Sequence, residues 1–301
     1  MKQPHIVVIG SLNMDLVIST SRMPKLGETI TGQQMHTIPG GKGANQAVGC
    51  SRLGAKVSMV GAVGNDSFGK QIISQLGNYG VDVHPILVSD APTGSAIIFH
   101  TPEDNCIVII PGANELCDAE LVSNFESLIY GADLLLVQLE IPLNSVYTAL
   151  KIAREAGVCT VLNPAPAREL SVDLLKLVDY LTPNETEFEL LSGATYKSED
   201  DLYAGMMKWQ QEYGPKLFVT RGKNGVSYLL DGSLRTVDAP KVEVVDTTGA
   251  GDCFNAAFSC CLASGQSVAD AAAFAVKAAS LSVTKFGAQN GMPSMEDMRN
   301  A

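Results

Sequence analysis

No apolar run in this 301-residue chain approaches the roughly 20 residues a membrane-spanning helix needs, so no membrane partner is expected. A cationic excess is missing too: 21 Lys and Arg face 32 Asp and Glu, a formal charge of −11. So acidic a chain repels nucleic acid and anionic surfaces. Any phosphate it binds must be held by local backbone N–H groups and a few placed cations. The seven cysteines form no CxxC pair and show no metal-ligand spacing with the four histidines. An odd set of thiols, with no signal-peptide layout before the first apolar segment, points to a reducing cytoplasm. His5, His36, His84 and His100 lack a Gly-x-Ser-x-Gly partner and are expected at the surface or in packing. Repeats, low-complexity tracts and linkers are absent as well, so a single domain over residues 1–301 is expected.

A composition of 46% hydrophobic and 18% charged residues suits a packed globular enzyme. Apolar, β-branched runs at Ile6–Gly10, Lys56–Val63, Asp133–Leu139, Val158–Leu162, Tyr180–Thr182 and Lys216–Thr220 read as buried strands. Helical patterns follow at Gly43–Leu53, Phe68–Tyr79, Leu143–Ala156, Glu185–Leu191, Asp200–Tyr213, Ala250–Ala263 and Val268–Thr284. This alternation predicts an α/β fold, a mostly parallel sheet with helices on both faces. Two stretches break the rhythm: Asp15–Thr20 with Glu28–Ile38, and Gly94–Thr101 with Cys106–Pro111. They are too short for a core of their own and suit a small β-sheet lid, drawn from about 14–39 and 94–111, over the mouth of the large sheet. Such a lid needs its apolar face covered by substrate, by the main body or by a twin subunit.

The strongest chemical signal is Asp246-Thr247-Thr248-Gly249-Ala250-Gly251-Asp252-Cys253-Phe254, between a strand-like run (Lys241–Val245) and a long Ala-rich helix. Small residues at 249–251 let the backbone approach a ligand, and the helix start aims several N–H groups at one point, an anion hole. A first-turn carboxylate such as Asp252 usually caps its helix. Capping does not explain the Gly-Ala-Gly run before it, and a catalytic base does. An unperturbed Asp titrates near about 3.9, so Asp252 is expected to be ionised at neutral pH. The second signal is Gly40-Gly41-Lys42-Gly43-Ala44-Asn45-Gln46-Ala47, a Gly-rich turn with a cation and an amide at another helix start. Alone it could be a plain connection. Asn13 and Asp15 alone could be turn residues, and Asn184 with Glu187 a helix cap. Glu140 ends an apolar strand, where α/β sheets place ligands.

Together these segments resemble the PfkB-type sugar kinases, the ribokinase branch in particular. The likeness runs in order through Gly10–Asp15, GGKGANQA, Gln138-Leu139-Glu140, Asn163-Pro164-Ala165-Pro166-Ala167, Thr182–Glu187, Thr220–Gly225, DTTGAGDCF and Lys285–Gln289. It implies a three-layer α/β/α kinase that moves the γ-phosphoryl group of ATP to the 5-hydroxyl of ribose. Asn13, Met14, Asp15, Gly41, Lys42, Gly43, Ala44, Asn45 and Glu140 would hold the sugar beside Asp252, the general base, with Gly249, Ala250 and Gly251 as the anion hole. Asn184, Thr220, Arg221, Gly222, Lys223, Asn224, Gly225, Gly251 and Asp252 would bind ATP, and Ala273–Ser280 would wall the adenine. Asn184 and Glu187 would position Mg²⁺, partly through water. A K⁺ activator would sit among Asp246, Thr248, Ser282, Lys285 and Gly287. Gly291 stands where that branch has a serine, so only its carbonyl could join this site. The resemblance and the open lid edge together suggest a homodimer paired through the lids.

Other readings stay in view: a deoxyribose, fructose or nucleoside kinase, a sugar sensor without catalysis, or a dinucleotide-binding oxidoreductase. Intact Asp252 and Gly-Ala-Gly oppose the sensor. Phe254 occupies the place of the third fingerprint glycine and opposes the oxidoreductase. Gly64–Gln71 has P-loop spacing, yet Gln71 replaces the Mg²⁺-binding Ser or Thr; Asp66 is expected to cap a helix there and Gly69 to allow close packing.

Overall fold

The computed structural model describes residues 3–103 and 105–301; residues 1–2 of the N-terminal segment and position 104, between the two later lid strands, lie outside the described residues. In chain order the strands are β1 (His5–Ile9), β2 (Asn13–Ser19), β3 (Gln34–Gly40), β4 (Lys56–Gly64), β5 (Ile86–Ser89), β6 (Gly94–His100) and β7 (Asn105–Ile110). They continue as β8 (Leu134–Val137), β9 (Cys159–Leu162), β10 (Tyr180–Leu181), β11 (Lys216–Thr220), β12 (Val226–Leu230) and β13 (Ser233–Val237). The large sheet runs β13-β12-β11-β10-β9-β8-β1-β4-β5, parallel from β11 to β5 and antiparallel at β11-β12-β13.

Alternation along the central strands explains their position. In β1, Ile6 and Val8 enter one core while Val7 and Ile9 enter the other; in β8, Leu134 and Leu136 part in the same way from Leu135 and Val137. A strand apolar on both faces must be covered on both. The first face carries α1 (Lys42–Arg52), α2 (Ser67–Asn78), α9 (Ala250–Ala263), α10 (Val268–Ser282) and α12 (Met295–Asn300). The second carries α3 (Ala119–Asn124), α4 (Glu126–Tyr130), α5 (Leu143–Ala156), α6 (Val172–Leu175), α7 (Glu185–Ser192) and α8 (Glu199–Tyr213). A short α11 (Ala288–Gly291) follows α10. Truncating a side chain such as Leu135, which has no exposed surface, to Ala should cost about 2–5 kcal/mol.

Three strands lie outside the expected set. β5 is a short edge with Val88 exposed, and β12 and β13 form a hairpin around Asp231 and Gly232, both at positive φ (50° and 72°). Conversely, Lys241–Val245 is not a strand: no strand pairs with it, and Val244 and Val245 remain exposed. Only the second half of Glu28–Ile38 is strand, because Arg22 pairs with Glu28 and folds the preceding residues into a loop. Asp66 caps α2 through Gly69 N–H at 2.8 Å, and a Cβ on Gly69 would come within 2.1 Å of Gly64 O. The P-loop look-alike is therefore a packing turn.

The smaller sheet, ordered β3-β2-β6-β7, grows directly from the end of β1 through the turn 10–12. Its outer strand leaves Ile107, Val108, Ile109 and Ile110 each 45–56% exposed. Among the described residues no helix is long and apolar enough to cross a membrane.

Candidate active site

The parallel strands bring their carboxyl ends to one side of the sheet, where such folds bind ligands. There β1 leads to Ser11 and Asn13, β8 to Gln138 and Glu140, β9 to Asn163, β10 to Thr182, and β11 ends in Thr220. The starts of α1 and α9 face the same space. Glycine makes the first approach possible: Gly41 has φ +88°, and a Cβ there would lie 2.7 Å from the Asn13 nitrogen. Glu140 then ties the parts together, accepting from Ser11 Oγ at 2.5 Å and from the Lys42 N–H at 3.1 Å.

Asp252 is 7% exposed and sits in the first turn of α9. Asn45 Nδ2 and Gln46 Nε2 each donate to its carboxylate at 2.9 Å, one to each oxygen. Both amides are themselves held. Gln138 donates to Gln46 Oε1 at 2.6 Å, Gln289 to Asn45 Oδ1 at 3.2 Å, and Gln75 to Gln289 Oε1 at 2.8 Å. Every amide in these two arms passes a donor toward Asp252. Burial raises the Asp252 carboxyl above the usual range; Lys42 and the two amide donors pull it back, while Glu140 adds to the rise. Its affinity for a proton therefore exceeds that of a solvated Asp. Burial also pushes Asp15 up, to about 7, reinforced by Glu140 and Asp252 and opposed by Lys42. For Lys42, burial works against the charge, but Asp252, Glu140, Glu187 and Asp15 outweigh it and hold the ammonium above its usual pKa.

Two cavities flank this centre. One of about 510 Å³ is lined by Asn13, Ile109, Asn114, Glu140 and Arg168 among others. The second, about 210 Å³, is lined by Lys42, Asn163, Thr182, Asn184, Glu187, Thr220, Thr247, Gly249, Ala250, Gly251, Asp252 and Asn255. Gly249 has φ +79°, and its Cβ would strike Ala288 at 2.6 Å, whereas a Cβ on Gly251 would meet nothing within 4 Å. Room for a ligand thus lies over Gly251. The N–H of Ala250 turns back to Thr247 O at 3.2 Å. The N–H groups of Gly251 and Asp252, at the helix start, have no carbonyl of their own helix to bond.

Other expected residues fall less centrally. Met14 and Ala44 have no exposed surface and belong to the core, so only their backbones could reach a sugar. Asn184 and Glu187 form a reciprocal capping box on α7, both bonds 2.8 Å; Glu187, raised by burial, also lines the smaller cavity, so cap and site coincide. Arg221 turns its side chain to Glu185, Glu199 and Ser227, while Gly222, Lys223 and Asn224 make an exposed turn closed by the Arg221 N–H to Gly225 O bond at 2.8 Å. Within Ala273–Ser280, Ala275, Val276 and Ala278 are core residues, leaving little of that stretch for an adenine wall. Asp246 accepts from Thr248 N–H and Gly287 N–H, each at 2.9 Å, joining the loop before α9 to the one after α10. Gly291 packs on the Ser282 carbonyl so closely that a Cβ would lie 2.6 Å from it, which leaves no room for the serine of the related branch without a shift.

Ser11, Gln46, Asn114, Asn163, Thr182, Asn255 and Gln289 also build the site and were not singled out. Amides and hydroxyls carry no spacing pattern: Ser11, Gln46, Asn163, Thr182 and Gln289 stood inside segments of the resemblance without a role of their own, and Asn114 and Asn255 stood in none.

A family model described as pfkB family carbohydrate kinase matches residues 3–295. The chain belongs to that family. Among its relatives, the ribokinase of Bacillus subtilis strain 168 is 42% identical over 295 residues, covering 98% of each chain. The ribokinase of Haemophilus influenzae is 41% identical over 294 residues, 97% of this chain and 96% of the other. The solved structure of Arabidopsis thaliana ribokinase, complexed with ribose and ATP, superposes with a TM-score of 0.93 at 33% identity, covering 99% of this chain and 98% of that one. In this carbohydrate kinase Glu140 lines the larger cavity, and Lys42, whose N–H donates to Glu140, lines the smaller one with Asp252. The larger opens under the small sheet and the smaller lies over the start of α9.

Proposed function

We propose that the chain is an ATP-dependent kinase of D-ribose, forming ribose 5-phosphate and ADP in the cytoplasm. The observation that carries this is Asp252: a buried carboxylate, aligned by two amides, beside helix-start N–H groups with open space over Gly251. The relatives' names supply ribose and ATP. The sugar enters the larger cavity, lined by Asn13 and Glu140, and reaches on to Asp15, Lys42 and Asn45, with its 5-hydroxyl at Asp252. Asp252 accepts the hydroxyl proton as the oxygen attacks the γ-phosphorus and the bond to the ADP oxygen breaks. The transition state is loose, so positioning and charge neutralisation dominate. Gly251 and Asp252 N–H groups and the Lys42 ammonium meet the charge spreading over the phosphoryl oxygens.

Asn184 and Glu187 fit a Mg²⁺ carried in with the ATP phosphates, since that ion keeps waters and takes few protein ligands; bound, it would neutralise phosphate charge. Asp246 with the carbonyls of Thr248, Ser282, Lys285, Gly287 and Gly291 offers oxygen donors suited to a hard cation such as K⁺. Thr220 and the turn through Gly225 form the nucleotide side. The two sheets act as one unit over 1–301. The strands within 14–39 and 94–111 close over the sugar to exclude water. Their exposed isoleucines and Val108 pair with a second copy.

The test is a coupled ADP-release assay with ribose, 2-deoxyribose and fructose, with the product identified by phosphorus NMR. Ribose should give the highest kcat/KM, with phosphate on the 5-oxygen. A preference for another sugar would replace the substrate and leave the kinase.

A further inference from the structure

Asn13 and Asn114 are 101 positions apart in sequence, and both are almost fully buried. Asn114 lies in the short turn after β7, at the root of the lid, and its side chain grips the backbone of Leu12 twice. Leu12 N–H donates to Asn114 Oδ1 at 2.8 Å, and Asn114 Nδ2 donates to Leu12 O at 3.3 Å. The same Nδ2 donates to Asn13 Oδ1 at 2.7 Å. A backbone N–H can only donate, so the atom of Asn114 facing it must be the oxygen. The NH₂ end therefore faces Asn13, and Asn13 must turn its own oxygen toward it, since two NH₂ groups would repel. An amide's orientation is inferred from such networks, and this one ends on a group without choice. Gly94 makes room for it: a Cβ there would lie 2.2 Å from Asn114 Nδ2 and 2.5 Å from Asn13 Oδ1.

With Oδ1 committed, the group Asn13 has left for the cavity it lines is its NH₂. Asp15, two residues along the same strand, shares that face and offers only acceptor oxygens when ionised. A hydroxyl has one proton. Held between a donor and a carboxylate, it accepts from the first and gives its proton to the second. The geometry points to Asn114 as the positioning residue that makes Asn13 a donor to a sugar hydroxyl. This rests on the reading of the larger cavity as the sugar site.

The test compares Asn114→Asp, Asn114→Leu and Asn13→Met in the full-length enzyme. Measurements are kcat/KM for ribose from pH 6 to 9 and thermal melting. Asn114→Leu frees Asn13 to choose either orientation. Asn114→Asp keeps an acceptor for Leu12 N–H but, once ionised, draws the Asn13 NH₂ toward itself and leaves oxygen facing the sugar. The ionised oxygen also faces Leu12 O, where Asn114 donated at 3.3 Å, so activity is measured well below both melting temperatures, and there Asn114→Asp should turn over ribose less well than Asn114→Leu at pH 8.5. Its expected loss against wild type is on the order of 10- to 100-fold in kcat/KM, the range for one mispaired buried group. The loss should shrink toward pH 6, where the introduced carboxyl regains a proton to donate. A purely structural role would make activity follow melting temperature. If Asn114→Asp tracks Asn114→Leu at every pH, or is the more active at pH 8.5, the positioning role is overturned. If Asn13→Met leaves ribose kinetics unchanged, the sugar contact itself is wrong and the proposal falls with it.

Discussion

The two sides of the cleft are built differently. On the side proposed for the acceptor, Asn45 and Gln46 are buried and bonded to Asp252, and Asn13 is buried and bonded to Asn114, before any ligand arrives. On the side proposed for the nucleotide, Gly222, Lys223 and Asn224 form an exposed turn, Val244 and Val245 are more than half exposed, and Arg221 is occupied with Glu185 and Glu199. Chemistry explains the contrast. A small polyol offers little surface, so it must be met by groups already aligned, because each alignment made on binding costs ordering entropy. A nucleotide brings its own charge and a large flat base, and can order the chain around it.

The contrast is broken most severely at Asp252. Asp252→Asn keeps size and cap but cannot take a proton, so kcat should fall roughly 10²- to 10⁴-fold while ATP binding changes little. Near-normal turnover by the purified variant would remove the base. Next comes Gln46→Leu, which strips a donor from Asp252 and leaves Gln138 and Asn163 short of a partner. We expect roughly a 10-fold or larger drop in kcat, a melting loss equivalent to about 1–3 kcal/mol per buried group left unpaired, and an acid limb moved to higher pH. An unchanged pH profile would reduce Gln46 to packing.

The pH profile of wild type sharpens the same point. Burial pushes Asp15 up to about 7, and in the proposed sugar site a hydroxyl donates to its ionised form. kcat/KM for ribose reports the unliganded enzyme, so it should fall about 10-fold from pH 8 to 6. The same raised pKa means the folded state pays for ionising Asp15. That cost is absent below pH 4 and complete above about 7, so this residue lowers stability as pH rises through the window. Asp15→Asn should flatten the acid limb of kcat/KM; an identical limb would move its origin to Asp252. Asn13→Met should cut ribose turnover by about 10-fold and narrow its lead over 2-deoxyribose, measured as the ratio of kcat/KM values. Equal losses for both sugars would make Asn13 a turn residue. The smallest effect belongs to the proposed nucleotide side: Arg221→Ala, which loses two ion pairs to carboxylates that are more than half exposed, should move KM for ATP by less than about 3-fold and stability by about 1 kcal/mol. A large rise in KM would show Arg221 reaching the phosphates after all.

The same division governs what could be read from sequence. The parallel core was legible because β1, β4, β8 and β11 are continuous apolar runs between glycines and helical patterns, and burial is what such runs encode. The β12–β13 hairpin escaped notice because its strands are mixed in polarity and its turn, Asp231-Gly232, is brief. Lys241–Val245 misled for the opposite reason: alternating valines suggest a strand, but the segment joins no ladder, and its end bonds only to the Val283 carbonyl after α10. At the site, Asp252, Lys42 and Asn45 stood out through glycine-rich helix starts. Asn114 and Gln289 did not, because their roles depend on partners about 100 and more than 240 residues away.

Amide hydrogen exchange, in the absence and presence of ligands, tests the difference between the two sides most directly. Before any ligand is added, the segments 11–15, 43–50 and 253–260 should already be protected, and ribose should slow them little. Segments 221–225 and 241–249 should exchange fast alone and slow by at least about 10-fold with a non-hydrolysable ATP analogue and Mg²⁺. The reverse pattern, with 11–15 and 43–50 unprotected until ribose binds and the nucleotide segments protected from the outset, would contradict a sugar site aligned in advance.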